Sequence, residues 1–232
     1  GDIYILNNPF DGGTHYNDVG IIKPIFVEDE LFAFAISISH WTDVGGKSPG
    51  SLPADATEIY QEGICFPGLR LYKNDEPERS VFEMVEANVR IPKMALGDLN
   101  AAVASVRIAD RRCQELCDKY GSRGVRETFQ HILSTSEAVS RSAVAELPDG
   151  VYQATDWLDG DGITKDRFPT QVEVTIVGEE ITFDFAGTSP QVRGPVNCSR
   201  SAMISAVKTV FKAIVDPQAP SNEGWFKPLK VV

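Results

Sequence analysis

Two of the three histidines fall in short, glycine-flanked segments that also carry carboxylates: His15 and Asp18 in GGTHYNDVG, His40 and Asp43 in SISHWTDVGG. Neutral imidazole and ionised carboxylate together suit a borderline divalent ion. Two histidines with one carboxylate leave coordination positions open for water or substrate. The HxxD spacing in a glycine-rich turn lets His15 and Asp18 aim at one point, and His40 would close the set from a neighbouring strand. The same residues also fit a solvated turn holding His15 and Asp18, with His40 hydrogen-bonded at a strand end.

The surrounding pattern says which elements must position these groups. From Ile3 to about Phe66 apolar runs alternate with Gly, Pro and acidic turns: Ile3 to Leu6, Val19 to Phe26, and Leu31 to Ser39. The run from Glu28 to Leu31 fits the turn of an antiparallel pair, so His40 is expected at the end of the returning strand. A long loop follows, GGKSPGSLPADATEIYQEG, of the kind that is usually functional or disordered. Its acids Asp55, Glu58 and Glu62 are candidates for proton transfer beside a metal, with Glu58 preferred, and Lys47 and Ser48 could touch an anionic substrate.

From about Val81 to Val144 the period becomes helical. Leu96, Leu99, Val103, Val106, Cys113, Leu116, Cys117 and Tyr120 make one apolar face, Gly121 supplies a C-cap, and Val125, Phe129, Ile132, Leu133 and Val139 continue on a second helix. These two helices are expected to form a hairpin. Its arginines (Arg107, Arg111, Arg112, Arg123, Arg126) read as surface ion pairs, and His131 as packed or solvated. After Pro148 strands return: Val172, Val174 and Ile176 alternate, Gly178 and Glu179 turn, and Ile181, Phe183 and Phe185 alternate back. Gly187, Thr188, Ser189 and Gly194 then lead toward a helix from about Ser199 to Val215, where backbone amides could meet an anion, with Asn197 as the capping candidate. The DGDG at Asp159 to Gly162 lacks the spacing of a calcium loop and reads as a polar hairpin tip. The fold class expected is α+β, an antiparallel β-rich body (1–80) with an inserted helical hairpin (81–147), then a β-hairpin and a further helix near the C-terminus (148–232).

Composition excludes several roles. With 232 residues, 42% hydrophobic and 24% charged, the chain can bury a full core. A formal charge of −11 offers no basic footprint for nucleic acid or an anionic membrane. No apolar stretch is long enough to span a bilayer and no secretory signal opens the chain, so a cytoplasmic location is expected. Cys65, Cys113, Cys117 and Cys198 show no zinc-ribbon spacing and are expected to be reduced and mostly buried.

Four segments, GDIYILNNPFDGGTHYNDVG, SHWTDVGGKSPGSLPADATEIYQEG, ANVRIPKMALGDLNAAVASVR and DFAGTSPQVRGPVN, resemble the hydantoinase B / 5-oxoprolinase family in the same order and nearly end to end. The resemblance implies a B-type subunit of an ATP-dependent hydrolase that opens a cyclic amide such as a hydantoin, 5-oxoproline or a lactam. ATP would be used by an A-type partner subunit in a hetero-oligomer, and this subunit would process the phosphorylated intermediate. It places the ligands of a divalent metal (zinc, manganese or iron) at His15, Asp18 and His40. Asp43 would orient a ligand, Glu58 would move protons, and Gly187, Thr188, Ser189 and Asn197 would receive the phosphorylated group. The metal-bearing subunit of an ATP-dependent ketone carboxylase, and a non-catalytic assembly subunit, are the alternatives. Family members extend beyond both ends of this sequence, which implies a piece of a longer polypeptide or one chain of a split one. Two departures bear on the surroundings of the site: Asn7, Asn8, Pro9 and Phe10 stand where many relatives read NDPY, and Trp41 stands where many carry a second histidine.

Overall fold

The two longest alternating runs pair with each other and fix the geometry of everything near the histidines. In the computed structural model, which describes all residues from Gly1 to Val232, β2 (Asp18–Val27) and β3 (Glu30–His40) form an antiparallel hairpin closed at Glu28 and Asp29. Both turn residues have positive φ, 53° and 64°, as the mirror-image turn of a two-residue hairpin requires. The arms are unequal, 10 residues in β2 against 11 in β3. A β-bulge absorbs the difference: Phe26 pairs with Leu31 and Ile25 with Ala33, leaving Phe32 over. Beyond the bulge the register is regular and ends with Asp18 directly opposite His40.

β1 (Ile3–Leu6), β4 (Pro67–Lys73) and the two-residue β5 (Glu76–Pro77) complete an antiparallel sheet of order β3-β2-β1-β4-β5. One face carries Val19, Ile21, Ile25 and Ala35, all buried, because α2 (Pro92–Tyr120) lies against β2 and β3 through a stripe that includes Leu99, Val103 and Val106. Lys23 is drawn into this layer, its Nζ 3.1 Å from Asp110 on α2, and Gln114 donates to the Phe26 carbonyl at 2.7 Å. The other face leaves Phe34, Ile36 and Ile38 exposed and ends on Asp18 and His40. These elements with α1 (Arg79–Asn88) make one unit, Gly1–Gly124, and Val125–Val232 make a second.

The helical region breaks at Val89–Ile91 ahead of Pro92, so α1 and α2 are separate and pack together. The N-terminal two-thirds of α2 closes on its own sheet, while Leu116 and Tyr120 in its last turns stay exposed. Gly121 ends α2 as expected, its N–H donating to the Cys117 carbonyl at 2.8 Å. α3 (Ser122–Ala145) belongs from Val125 onward to the second unit.

In that unit β6 (Gly150–Leu158), β7 (Phe168–Val177), β8 (Glu180–Asp184) and β9 (Leu229–Val231) form a sheet in chain order. The β7–β8 hairpin has the expected register, Val174 opposite Phe183 and Ile176 opposite Ile181, but β9 joins β8 in parallel. Ile176, Ile181 and Phe183 form a core with Val144, Trp225, and Val207 and Phe211 of α4 (Arg200–Val215). The mixed α+β class is therefore as read. No helix is long and apolar enough to cross a membrane. The four cysteines are free, Cys117 buried and Cys198 exposed.

Candidate metal centre

The hairpin register delivers Asp18 and His40 to one point, and the turn before β2 delivers His15. His40 Nδ1 lies 2.7 Å from Asp18 Oδ1, and the His15 and His40 rings meet edge to face with centroids 5.8 Å apart. One potential ligand atom from each of the three residues lies within 4.8 Å of the others. Two imidazoles and one ionised carboxylate at that spacing fit a borderline divalent ion. Both histidines are about half exposed, 50% and 51%, so the donor set is open on one side, as a site that must admit water or substrate has to be. The sequence-predicted triad is thus brought together in full.

Asp18 is held hard in place. Oδ2 accepts from the backbone N–H groups of Thr14 and His15, each at 2.9 Å, and from the Thr14 hydroxyl. Burial pushes its carboxyl up, but the hydrogen bonds from Thr14 and His40 and from these backbone amides outweigh burial and hold it well below the ordinary carboxylate range. Asp18 is therefore an anion at neutral pH.

Two buried asparagines, which the sequence pattern does not single out as functional, fix the backbone on either side. Asn17 stands between the two N-terminal donors: its Nδ2 donates to the Trp41 carbonyl at 2.7 Å, and its own carbonyl accepts from Trp41 N–H at 2.8 Å. This ties the residue before Asp18 to the residue after His40. Asn7 donates to the carbonyls of Tyr16 at 2.7 Å and Ile64 at 2.9 Å, and accepts from Phe66 N–H at 2.6 Å. Nothing in a lone Asn announces such a clamp, because its partners are backbone groups far along the chain. The two departures from the family pattern fall outside the donor set. Asn8 caps the short helical turn Pro9–Asp11, accepting from Phe10 N–H at 3.2 Å, and Trp41 is core, 1% exposed and edge-on to Phe66.

Several expected site residues serve other ends. Asp43 is 3% exposed, and its oxygens accept from Gly45 N–H, Gly50 N–H and both the backbone and guanidinium of Arg90. It braces the loop after β3, so both its oxygens are occupied and it orients no ligand. Lys47 pairs with Asp55 at 2.9 Å, and the Ser48 carbonyl accepts from Arg90. Glu58 is exposed at the start of the turn Ile59–Gln61. Among the loop acids, burial raises the Glu62 carboxyl, and the charge of His15 opposes the rise.

The anion-binding reading of the small residues after β8 is corrected in the same way. Thr188 N–H donates to the Phe185 carbonyl and Ser189 N–H to that of Pro169, while the Thr188 hydroxyl bridges to the Gln171 backbone. Gly187, at φ 95°, packs against the Gln171 side chain. Asn197 closes the preceding loop through Val192 and Gly194, and Ser199, not Asn197, caps α4 by accepting from Ala202 N–H. The Thr188, Ser189 and Gly194 amides are thus occupied internally and are not offered to a phosphate. The DGDG segment is no solvated tip: Asp161 is 1% exposed and accepts from Ile163, Thr164 and Gly194 N–H groups.

The geometry can be set beside known proteins. The sequence model of the hydantoinase B/oxoprolinase family matches residues 1–232. A Pseudomonas sp. protein provisionally named as the B-type subunit of a D-/L-hydantoinase is 34% identical over 244 residues, covering 100% of this chain and 41% of that one. The acetophenone carboxylase delta subunit of Aromatoleum aromaticum is 28% identical over 229 residues, 97% of this chain and 33% of that one. The crystal structure of the ATP-dependent caprolactamase from Pseudomonas jessenii superposes with a TM-score of 0.91 at 30% identity, over 100% of this chain and 40% of that chain. The chain thus spans about two-fifths or less of the length of these relatives. On the match over its whole length and the shared fold, this chain belongs to the hydantoinase B/oxoprolinase family.

Proposed function

We propose that this chain forms the metal-bearing part of a B-type subunit in an ATP-dependent enzyme that opens a cyclic amide, a hydantoin, 5-oxoproline or lactam. The observation that carries this reading is the convergence of His15, Asp18 and His40 within 4.8 Å on an open face. An amide resists attack because its nitrogen donates into the carbonyl; O-phosphorylation by an A-type partner using ATP removes that resonance and installs a leaving group. A zinc, manganese or iron ion held by the triad would supply Lewis acidity toward the carbonyl and acidify water. His15 and His40 would hold that ion through ring nitrogens, Asp18 would supply the compensating negative charge, and Glu62, whose carboxyl burial raises, would be the group to take and return a proton. The names of the hydantoinase and caprolactamase relatives support the substrate class.

The acetophenone carboxylase relative supports a second reading, carboxylation of an activated ketone at the same donor set. Metal analysis of chain purified without chelator or metal-affinity resin tests what both share: about one divalent ion per chain in wild type, lost in His15→Ala and His40→Ala, is expected for a site of this kind. Turnover of lactams against ketones with an A-type partner and ATP then separates the two. A wild-type chain that holds no ion after its partner and flanking sequence are restored overturns both and points to an assembly role.

A further inference from the structure

We infer that Thr14 is a positioning residue for this centre, its single hydroxyl setting which nitrogen of His15 is free to bind a metal. The inference rests on the metal reading above. An ionised carboxylate can only accept, so the contact between the Thr14 hydroxyl and Asp18 Oδ2 has Thr14 as donor. A hydroxyl owns one proton. The second contact of the same oxygen, 2.9 Å to His15 Nδ1, must then be donated by the ring. His15 is thereby fixed as the Nδ1–H tautomer, with its lone pair at Nε2. His40 is placed differently: its Nδ1 faces Asp18 Oδ1 at 2.7 Å, the side on which these two residues could share an ion. Thr14 Oγ1 therefore joins two of the three proposed ligands, orienting one carboxylate oxygen and one ring.

Thr14 touches no reacting group in this arrangement and is exposed, so its hydroxyl has no packing duty. Its backbone N–H also holds Asp18, and that bond survives any side-chain replacement. Thr14→Val keeps shape and backbone bonding and removes both hydroxyl contacts, the one to the His15 ring and the one to Asp18 Oδ2, which is why the tautomer is read separately from affinity. Orienting partners of metal-bound histidines are worth roughly 10–100-fold in metal affinity.

The test uses the full chain with Mn²⁺ and Zn²⁺ as probes and two readouts. Long-range proton–nitrogen NMR of the metal-free protein, with His15 assigned by comparison with His15→Ala, reports the tautomer directly. Chelator competition reports affinity. Expected are an Nδ1–H ring in wild type and Thr14→Ser, a shift toward Nε2–H in Thr14→Val, and an affinity for both ions lower by about 10–100-fold in Thr14→Val, with Thr14→Ser close to wild type. Unchanged tautomer and affinity in Thr14→Val would overturn the role of Thr14 alone. A wild-type chain with the Nδ1–H ring that binds neither ion would overturn the metal reading itself.

Discussion

Replacing Asn7 by alanine should cost this protein far more than the loss of one small polar side chain suggests. Asn7 is 1% exposed and makes three hydrogen bonds to backbone groups of Tyr16, Ile64 and Phe66. Each bond contributes about 1 kcal/mol net, and each backbone group left buried without a partner costs about 1–3 kcal/mol. The three share one side chain, so the terms overlap, and a total of about 3–5 kcal/mol is expected. For a chain of this size that corresponds to a fall in Tm of roughly 6–20 °C. Urea unfolding of wild type and Asn7→Ala measures the difference, and hydrogen exchange locates it, because the Phe66 amide loses its acceptor and should exchange faster than its neighbours. Freeing the Tyr16 carbonyl also loosens the segment that carries His15 and Asp18, so affinity for a divalent ion should fall in the same variant. A destabilisation below about 1 kcal/mol, the net worth of one ordinary hydrogen bond, or an unchanged Phe66 amide, would refute the account of Asn7 as a clamp.

Other perturbations probe the layers separately. Lys23 and Asp110 form an ion pair with the lysine side chain only 8% exposed; Asp110→Ala should destabilise by about 3–5 kcal/mol by stranding the ammonium, whereas replacing both partners, Lys23→Met with Asp110→Leu, should be near neutral, as thermal unfolding of both variants will show. A Cβ on Gly194 would lie 1.7 Å from the Asp161 carbonyl oxygen, so Gly194→Ala should lose at least about 2–3 kcal/mol and speed amide exchange in the 159–164 segment selectively. The Thr164 backbone N–H, aided by those of Ile163 and Gly194, holds Asp161 down at about 2. Because the folded-state value lies below the unfolded one, this stabilisation is complete above about pH 4 and lost as pH falls toward 2; acid titration of stability should be shallower in Asp161→Asn across that window, and an identical slope would remove Asp161 as its source.

The strands around the centre were readable because one buried face imposes a strict alternation: Val19, Ile21 and Ile25 announce β2, and the acidic turn announces the return. His40 can therefore be placed at a strand end, and the candidate triad with it. Register was not readable, since the extra residue at Phe32 leaves no mark in composition. The role of Asp43 is hidden for a related reason, because a carboxylate near a histidine in sequence looks the same whether it faces that histidine or an arginine forty-seven positions on. The small residues from Gly187 to Ser189 look like an anion cradle until the Phe185 and Pro169 carbonyls that take the Thr188 and Ser189 amides are known. The apolar stripe of α2 marks a face, but a stripe does not say what will cover it, and here the sheet of β2 and β3 does.

The bulge at Phe32 turns the hairpin into a counting device. Ten residues on one arm meet eleven on the other, and only the extra residue at the bulge lets His40, rather than Ser39, finish opposite Asp18. What the centre requires is agreement between the two arms, not a set distance between the histidines along the chain. Lengthening both arms by one residue would move the turn away from the centre and leave the pairing at its mouth intact. Deleting the surplus residue would yield an unbulged hairpin with the same final pair. One residue added or removed between Ala33 and His40, by contrast, would send the His40 side chain through to the face beneath α2. The separation of the two histidines is thus free to drift in matched steps, and the register at the open end carries the information that a fixed motif length does not.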